Sequence, residues 1–325
     1  MDGVIHIDLL IANLTSPAVI CFVIGALAAL IKSDLRVPPQ VHETISMYLL
    51  FAIGLKGGIA LSQVNINLIM APLLATLFLG TITPLLAFII SRYLGRLDVT
   101  NSAALAAHFG SVSAVTFMAA LNFADLSQIK YEGFLTALLV LMEIPGIVIA
   151  LAIAGFLANG SKVNLSHVLK EAFTGKSIIL LAGGLFVGIV GDKSGINSIS
   201  NVFVTPFQGV LVFFLLEMGF VAVSKLKEVK PSLPFMVAFG TLVPPLFGII
   251  GAVSGTVAGL SPGGAAILAT MTASASYIAA PAAVKMALPQ ANPSLYLTTS
   301  ISITLPFNLI LGIPLYFALA KWLGN

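Results

Sequence analysis

The chain has 325 residues, of which 58% are hydrophobic and only 8% charged, and its mean hydropathy is +1.08. This composition excludes an ordinary soluble domain. The net charge of +3 and a pI near 9.0 come from loop lysines rather than from a nucleic-acid surface, so no nucleic-acid partner is expected. Cys21 is the single cysteine, which excludes a disulfide framework.

Apolar runs of about 20 residues, each long enough to cross a bilayer, recur along the chain. Ten helical spans are predicted, at 14–31, 44–62, 68–92, 101–123, 132–158, 177–195, 203–224, 233–259, 263–288 and 294–322. The runs are too long for barrel strands of about 9–11 residues. The first follows Asp2, His6 and Asp8 and lacks a basic leader, so it reads as a span and not a signal peptide. The predicted fold is therefore an all-α integral membrane protein. The polar stretch Asn159–Lys176 is the longest connector. It divides the chain into a first five-helix repeat (1–158), a cytoplasmic linker (159–176) and a second five-helix repeat (177–325).

Charge sets the expected orientation. One set of alternate loops holds Lys32, Arg36, Arg92, Arg96, Lys162, Lys170, Lys176, Lys225, Lys227, Lys230 and Lys285; the other holds Lys130, Lys193 and Lys321. The first set is expected to be cytoplasmic, with both termini outside. An odd number of spans per half makes the second repeat inverted relative to the first.

Two segments carry the repeat most clearly. Asn101–Ala120 aligns without gaps on Gly264–Ala283, 163 residues later, with Ser111 on Ser274 and Ser113 on Ser276. Leu49–Val64 similarly resembles Leu211–Leu226, and Glu143-Ile144-Pro145 corresponds to Thr304-Leu305-Pro306. Both serine-rich segments lie inside apolar spans, four and nine. Gly110 admits unusual backbone angles, and Pro281 lacks an amide proton and clashes with the preceding turn, so both helices are expected to break here. Each second half-helix would then begin inside the membrane with unpartnered amides and a positive dipole end. In inverted halves these two ends would face one shared guest, the way a secondary transporter builds a binding site. The candidate anion site is Gly110, Ser111 and Ser113 with Ser274 and Ser276. It suits a compact oxyanion held by amides and hydroxyls. The alternative is plain packing, since small residues also line tight helix contacts in membranes.

Glu143 is an intramembrane carboxylate beside Pro145, which frees a carbonyl one turn back. It reads as a sodium or proton site, or else as a structural hydrogen bond. Thr272, Thr304 and Asn308 complete the candidate cation ligands. Glu217 and Lys56 lie at adjacent aligned positions, where an ion pair is conceivable. His108 reads as a helix-bridging donor ahead of a proton relay. Gly57-Gly58 and Gly183-Gly184 read as packing notches. No nucleotide loop, metal-ligand cluster or catalytic triad spacing occurs, so the chain is not expected to be an enzyme or to need a cofactor beyond a coupling ion.

The segments IGLKGGIAL (53–61), FGSVSAVT (109–116), YEGFLTALLVLMEIPGIV (131–148) and PQANPSLYL (289–297) resemble the cyanobacterial sodium-dependent bicarbonate transporter family. The resemblance extends over nearly the whole chain. It implies sodium symport of bicarbonate in the bacterial cytoplasmic membrane by elevator-like movement of a core domain against a gate domain. It also implies a homotrimer and, more weakly, a PII-like regulatory partner, because the long serine-rich central insert is missing. It places bicarbonate and sodium where the broken helices cross. Glu143 stands where the family pattern has Asp. Tyr277 stands where it has an acidic residue and Ala279 where it has Ser, which depletes one sodium ligand set. Two alternatives follow: import of another small anion, such as a short carboxylate, coupled to sodium or protons; or a membrane sensor that binds its anion without moving it.

Overall fold

The computed structural model describes residues 7–35, 37–157, 165–226 and 233–324. Among the described residues every regular element is helical, and no strand occurs. A short helix α1 (Ile7–Leu14) leads into α2 (Pro17–Leu30), which starts where Ser16 accepts the Val19 amide and Pro17 needs no amide partner. Then follow α3 (Pro39–Leu61) and α4 (Ile66–Ile89), the latter ending in a π turn at Ile90–Leu94. The fourth predicted span is two helices, α5 (Val99–Gly110) and α6 (Ala114–Leu126). The fifth is also divided, into α7 (Leu135–Glu143) and α8 (Pro145–Leu157).

The predicted linker carries a helix of its own. Residues 159–164 lie outside the described residues, but Leu165–Thr174 is a helix, α9, packed against α8 and its neighbours. Its apolar residues recur at helical spacing, which the polar composition of the stretch conceals. Next come α10 (Lys176–Val190), a second surface helix α11 (Lys193–Phe203), α12 (Phe207–Leu226) and α13 (Leu233–Val257). The ninth predicted span is α14 (Pro262–Thr272) and α15 (Ala280–Ala287). The tenth opens with α16 (Pro293–Leu297) and closes with α18 (Ile313–Leu323). Between them the short α17 (Leu305–Phe307) is flanked by π turns at Thr298–Thr304 and Asn308–Gly312.

Seven stretches among the described residues are long and apolar enough to cross a membrane: Pro39–Leu61, Asn67–Leu94, Val99–Leu126, Leu135–Leu157, Lys193–Leu226, Leu233–Val257 and Pro293–Leu323. Pro17–Leu30 and Lys176–Val190 are apolar but shorter. Of the orienting loop cations, Arg36, Lys162, Lys227 and Lys230 lie outside the described residues.

Glycines bring two helix pairs into backbone contact. A methyl on Gly25 of α2 would overlap the Leu216 carbonyl of α12, and one on Gly219 of α12 would overlap the Phe22 carbonyl of α2. Gly54 and Gly58 of α3 meet α10 in the same way, and Gly184 and Gly188 answer from α10. Gly57 fits against Thr136, whereas Gly183 meets nothing, so the notch reading fails at that one position. The conceivable Lys56–Glu217 pair does not form. Lys56 Nζ sits 5.2 Å from the centre of the Phe207 ring, and Glu217 Oε1 lies 2.9 Å from His42 Nδ1.

Residues 102–124 of the broken span are all buried, so both sides of the break are enclosed by other helices. Irregular backbone at membrane depth is tolerated only under such cover. The π turns of the tenth stretch free carbonyls in the same way, and Asn13 of α1 donates to two of them, Leu309 (2.7 Å) and Ile310 (3.1 Å).

Candidate functional site where two helix breaks meet

The first break is three residues long. Ser111 (φ −98°, ψ 175°) and Ser113 (φ −95°, ψ 111°) are extended, and α6 starts immediately after. Close packing fixes the bend. A methyl on Gly110 would overlap the Pro84 ring of α4, and one on Gly146 of α8 would overlap the Gly110 carbonyl. The second break runs from Ala273 to Ala279. Pro281 sits in the first turn of α15, where its missing amide costs no hydrogen bond. It therefore opens the second half-helix rather than breaking the first.

The breaks are joined directly. The Ser113 amide donates to Ser274 Oγ at 2.8 Å, and the Ser276 amide donates to the His108 carbonyl at 2.7 Å. Two flanking helices clasp the joint from either side. Ser111 Oγ donates to the Glu143 carbonyl at 2.9 Å, where α7 stops ahead of Pro145. Asn308 Nδ2 donates to the Ala273 carbonyl at 2.9 Å, and its Oδ1 accepts the Tyr316 hydroxyl at 3.0 Å. Four freed backbone groups at the joint, the Ser113 and Ser276 amides and the Glu143 and Ala273 carbonyls, thus find partners, as low-dielectric surroundings favour.

The serines divide into two groups. Ser111 and Ser274 hold the joint, with Ser274 Oγ also donating to the Met271 carbonyl at 2.7 Å. Ser113 and Ser276 line a small cavity together with Leu50, Val112, Ala114, Glu143, Ser177, Tyr277 and Ile278. Both also cap the half-helices behind them. Ser113 Oγ accepts the Thr116 amide (3.1 Å) and the Thr116 hydroxyl (3.0 Å), and Ser276 Oγ accepts the Ala280 amide (3.3 Å). Gly110 is packed against Pro84 and does not line this cavity.

Glu143 is 5% exposed, and its Oε2 has no hydrogen-bond partner. It walls both the small cavity and a neighbouring space of about 250 Å³ that reaches Lys176. The other cation candidates stand apart from that wall. Thr272 donates to Leu268 of its own helix (2.7 Å), and Thr304 donates to the Gly240 carbonyl of α13 (3.0 Å). Asn308 grips the second break. His108 Nδ1 lies 2.7 Å from the Ala104 carbonyl, so that nitrogen carries the proton and donates within its own helix. It bridges no helices by hydrogen bond; its ring packs on Tyr296 at 4.4 Å between centres, and Nε2 is left without a partner.

Two larger spaces open beside the small one. A vestibule of about 520 Å³ is lined by His42, Glu43, Ser46, Lys176, Glu217 and Tyr277 among others. Lys176 pairs with Glu43 at 2.5 Å across its mouth. Tyr277 and Ile278 wall both this vestibule and the small cavity. The small cavity itself measures about 10 Å³, near the least that holds one water.

On the far side of the molecule, Glu132 accepts the Ser261 amide at 2.7 Å and fixes the start of α14. Tyr131 beside it donates to Asp125 at 2.8 Å. Burial first, then the Asp125 charge and this hydrogen bond, push the Tyr131 hydroxyl well above the usual phenol range, so the bond persists at all ordinary pH.

A family model for the Na+-dependent bicarbonate transporter superfamily matches residues 17–321. The chain belongs to that superfamily. No curated protein matches it. Membership makes it a multi-pass membrane transporter and not an enzyme. Two of the four segments that carried the resemblance build the joint: residues 109–116 span the first break, and 131–148 contain Glu143, whose carbonyl Ser111 holds. Sequence reasoning missed Leu50, Ser177 and Ile278 as cavity walls. Ser177 follows Gly175-Lys176 at the start of α10, a polar cluster read there only as the linker's end.

Proposed function

We propose that the protein imports bicarbonate by sodium symport, with the anion bound where the two helix breaks meet. The observation that carries this reading is the double amide link between the breaks, Ser113 to Ser274 and Ser276 to His108, beside a buried carboxylate oxygen without a partner. Ser113, Ser276 and the amides of the first turn of α6 are the donors to the anion, and Gly110, Ser111 and Ser274 shape the joint that presents them. Ala114 and Val115 carry amides of that turn that no intrahelical carbonyl can take. Glu143 is the cation ligand of this reading; Thr272, Thr304 and Asn308, which stand apart from it and are engaged with backbone carbonyls, hold the surrounding helices. Sodium next to the anion offsets its charge, so each favours binding of the other.

The mechanism proposed is alternating access in ten spans arranged as two inverted five-helix repeats. The pairing of α2 with α12 and of α3 with α10 supports that symmetry, since exchanging the halves maps one pair onto the other. These four helices are assigned to a gate domain held by backbone contact. The remaining long helices, with both breaks, form the moving core. The distribution of loop cations supports a reading in which Lys176 and its vestibule face the cytoplasm and both termini lie outside, which makes this conformation inward-facing with a contracted site. A homotrimer and a PII-like partner accompany the reading by family analogy.

Uptake of labelled bicarbonate into liposomes containing purified protein tests the proposal. Sodium-stimulated accumulation is expected, and its absence at every pH tried sinks the reading. A second reading is import of a short carboxylate with protons. It is favoured by Tyr277, which leaves Glu143 as the one carboxylate among the described residues that line the small cavity. Competition by acetate or pyruvate in the same assay separates the two. Specific binding of labelled anion without counterflow would point to a sensor.

A further inference from the structure

Tyr277 stands between two spaces. It lines the vestibule of about 520 Å³ and also the small cavity at the joint. Its hydroxyl is buried next to Ser113 but completes no well-aligned hydrogen bond. A buried phenol without a partner is unusual, because the desolvation of its O–H goes uncompensated. The same cavity is lined by Glu143, a residue 5% exposed whose Oε2 has no partner. An unmatched donor and an unmatched acceptor thus belong to two side chains that line one small cavity. The backbone at this point is held: Ser276 is tied to His108 through its amide, and Ser276 Oγ accepts the Ala280 amide. The Tyr277 side chain lies on an irregular segment and also lines the vestibule.

We propose that Tyr277 is the specificity-determining residue of this transporter, a deepening that rests on the anion site described above. Its ring closes the cavity against the vestibule and limits the guest to a small anion. Its hydroxyl, now unmatched, donates to an anion oxygen once the site fills. A neutral donor takes the position next to Ser113 and adds no charge, so Glu143 alone supplies the negative charge that attracts a cation. Small size and a single oxyanion group are therefore what the site selects; longer carboxylates are excluded by the ring rather than by charge.

The test compares three proteins in liposomes: wild type, Tyr277→Phe and Tyr277→Ala. Phe keeps the ring and removes the donor, so bicarbonate KM rises about tenfold or more while the sodium concentration for half-maximal uptake stays unchanged. Ala removes the wall, so acetate and pyruvate, weak competitors in wild type, compete at least several-fold better. An unchanged bicarbonate KM in Tyr277→Phe overturns the donor role. Continued exclusion of pyruvate by Tyr277→Ala overturns the size role. Thermal unfolding of each purified variant with bicarbonate, acetate or pyruvate added repeats both comparisons without transport. A wild-type protein that is stabilised by bicarbonate through Tyr277 yet moves none would overturn the symport reading and leave the Tyr277 assignment standing.

Discussion

Glu143 holds a carboxylate oxygen without a partner inside the membrane, which is tolerated only if a cation or proton arrives to meet it. Glu143→Gln is therefore expected to flatten the sodium dependence of uptake while changing anion affinity little; a full sodium titration of bicarbonate uptake checks this. Ser111 and Ser274 carry a different expectation, because their hydroxyls hold backbone groups of the joint rather than lining the cavity. Ser274→Ala leaves the Ser113 amide unmatched, and Ser111→Ala does the same to the Glu143 carbonyl. Each should cost about 1–3 kcal/mol of stability. The double variant should show a lower midpoint in detergent thermal unfolding as well as weaker anion binding. A loss of affinity at unchanged midpoint would return both serines to direct ligand status.

At the scale of elements, much was legible in the chain. The small-residue segments at 101–120 and 264–283 marked both helix breaks, since glycine and serine at membrane depth signal a backbone that leaves the helix. What the sequence did not reveal was the division of labour among the serines, which depends on which way each points at the crossing. Pro281 misled for a related reason: a proline breaks a helix or opens one depending on its position in the first turn. Helix α9 went unread because five polar side chains in a short stretch outweigh an apolar face of only a few residues. The helix pairs make their own prediction. Gly219→Leu would force α2 and α12 apart at a backbone contact, costing about 3 kcal/mol or more. Size-exclusion profiles of purified protein should show aggregation or loss of yield, while Gly183→Leu, at a glycine that meets nothing, should behave as wild type.

For the molecule as a whole, the vestibules give a directional expectation. Lys176→Cys in a Cys21→Ala background should react with a membrane-impermeant thiol reagent applied from the cytoplasmic face and resist it from outside. Reaction from the outer face instead would reverse the orientation drawn from the loop cations. Saturating sodium plus bicarbonate should slow the labelling if filling the site promotes closure of that mouth.

The contracted cavity has one further consequence. A space with room for about one water cannot support a continuous file of solvent from one face to the other. If the proposed symport holds, an idle molecule in this conformation insulates: it passes no stream of salt down the gradient that would drive its cycle, and a cell can hold many copies in its membrane without discharging it.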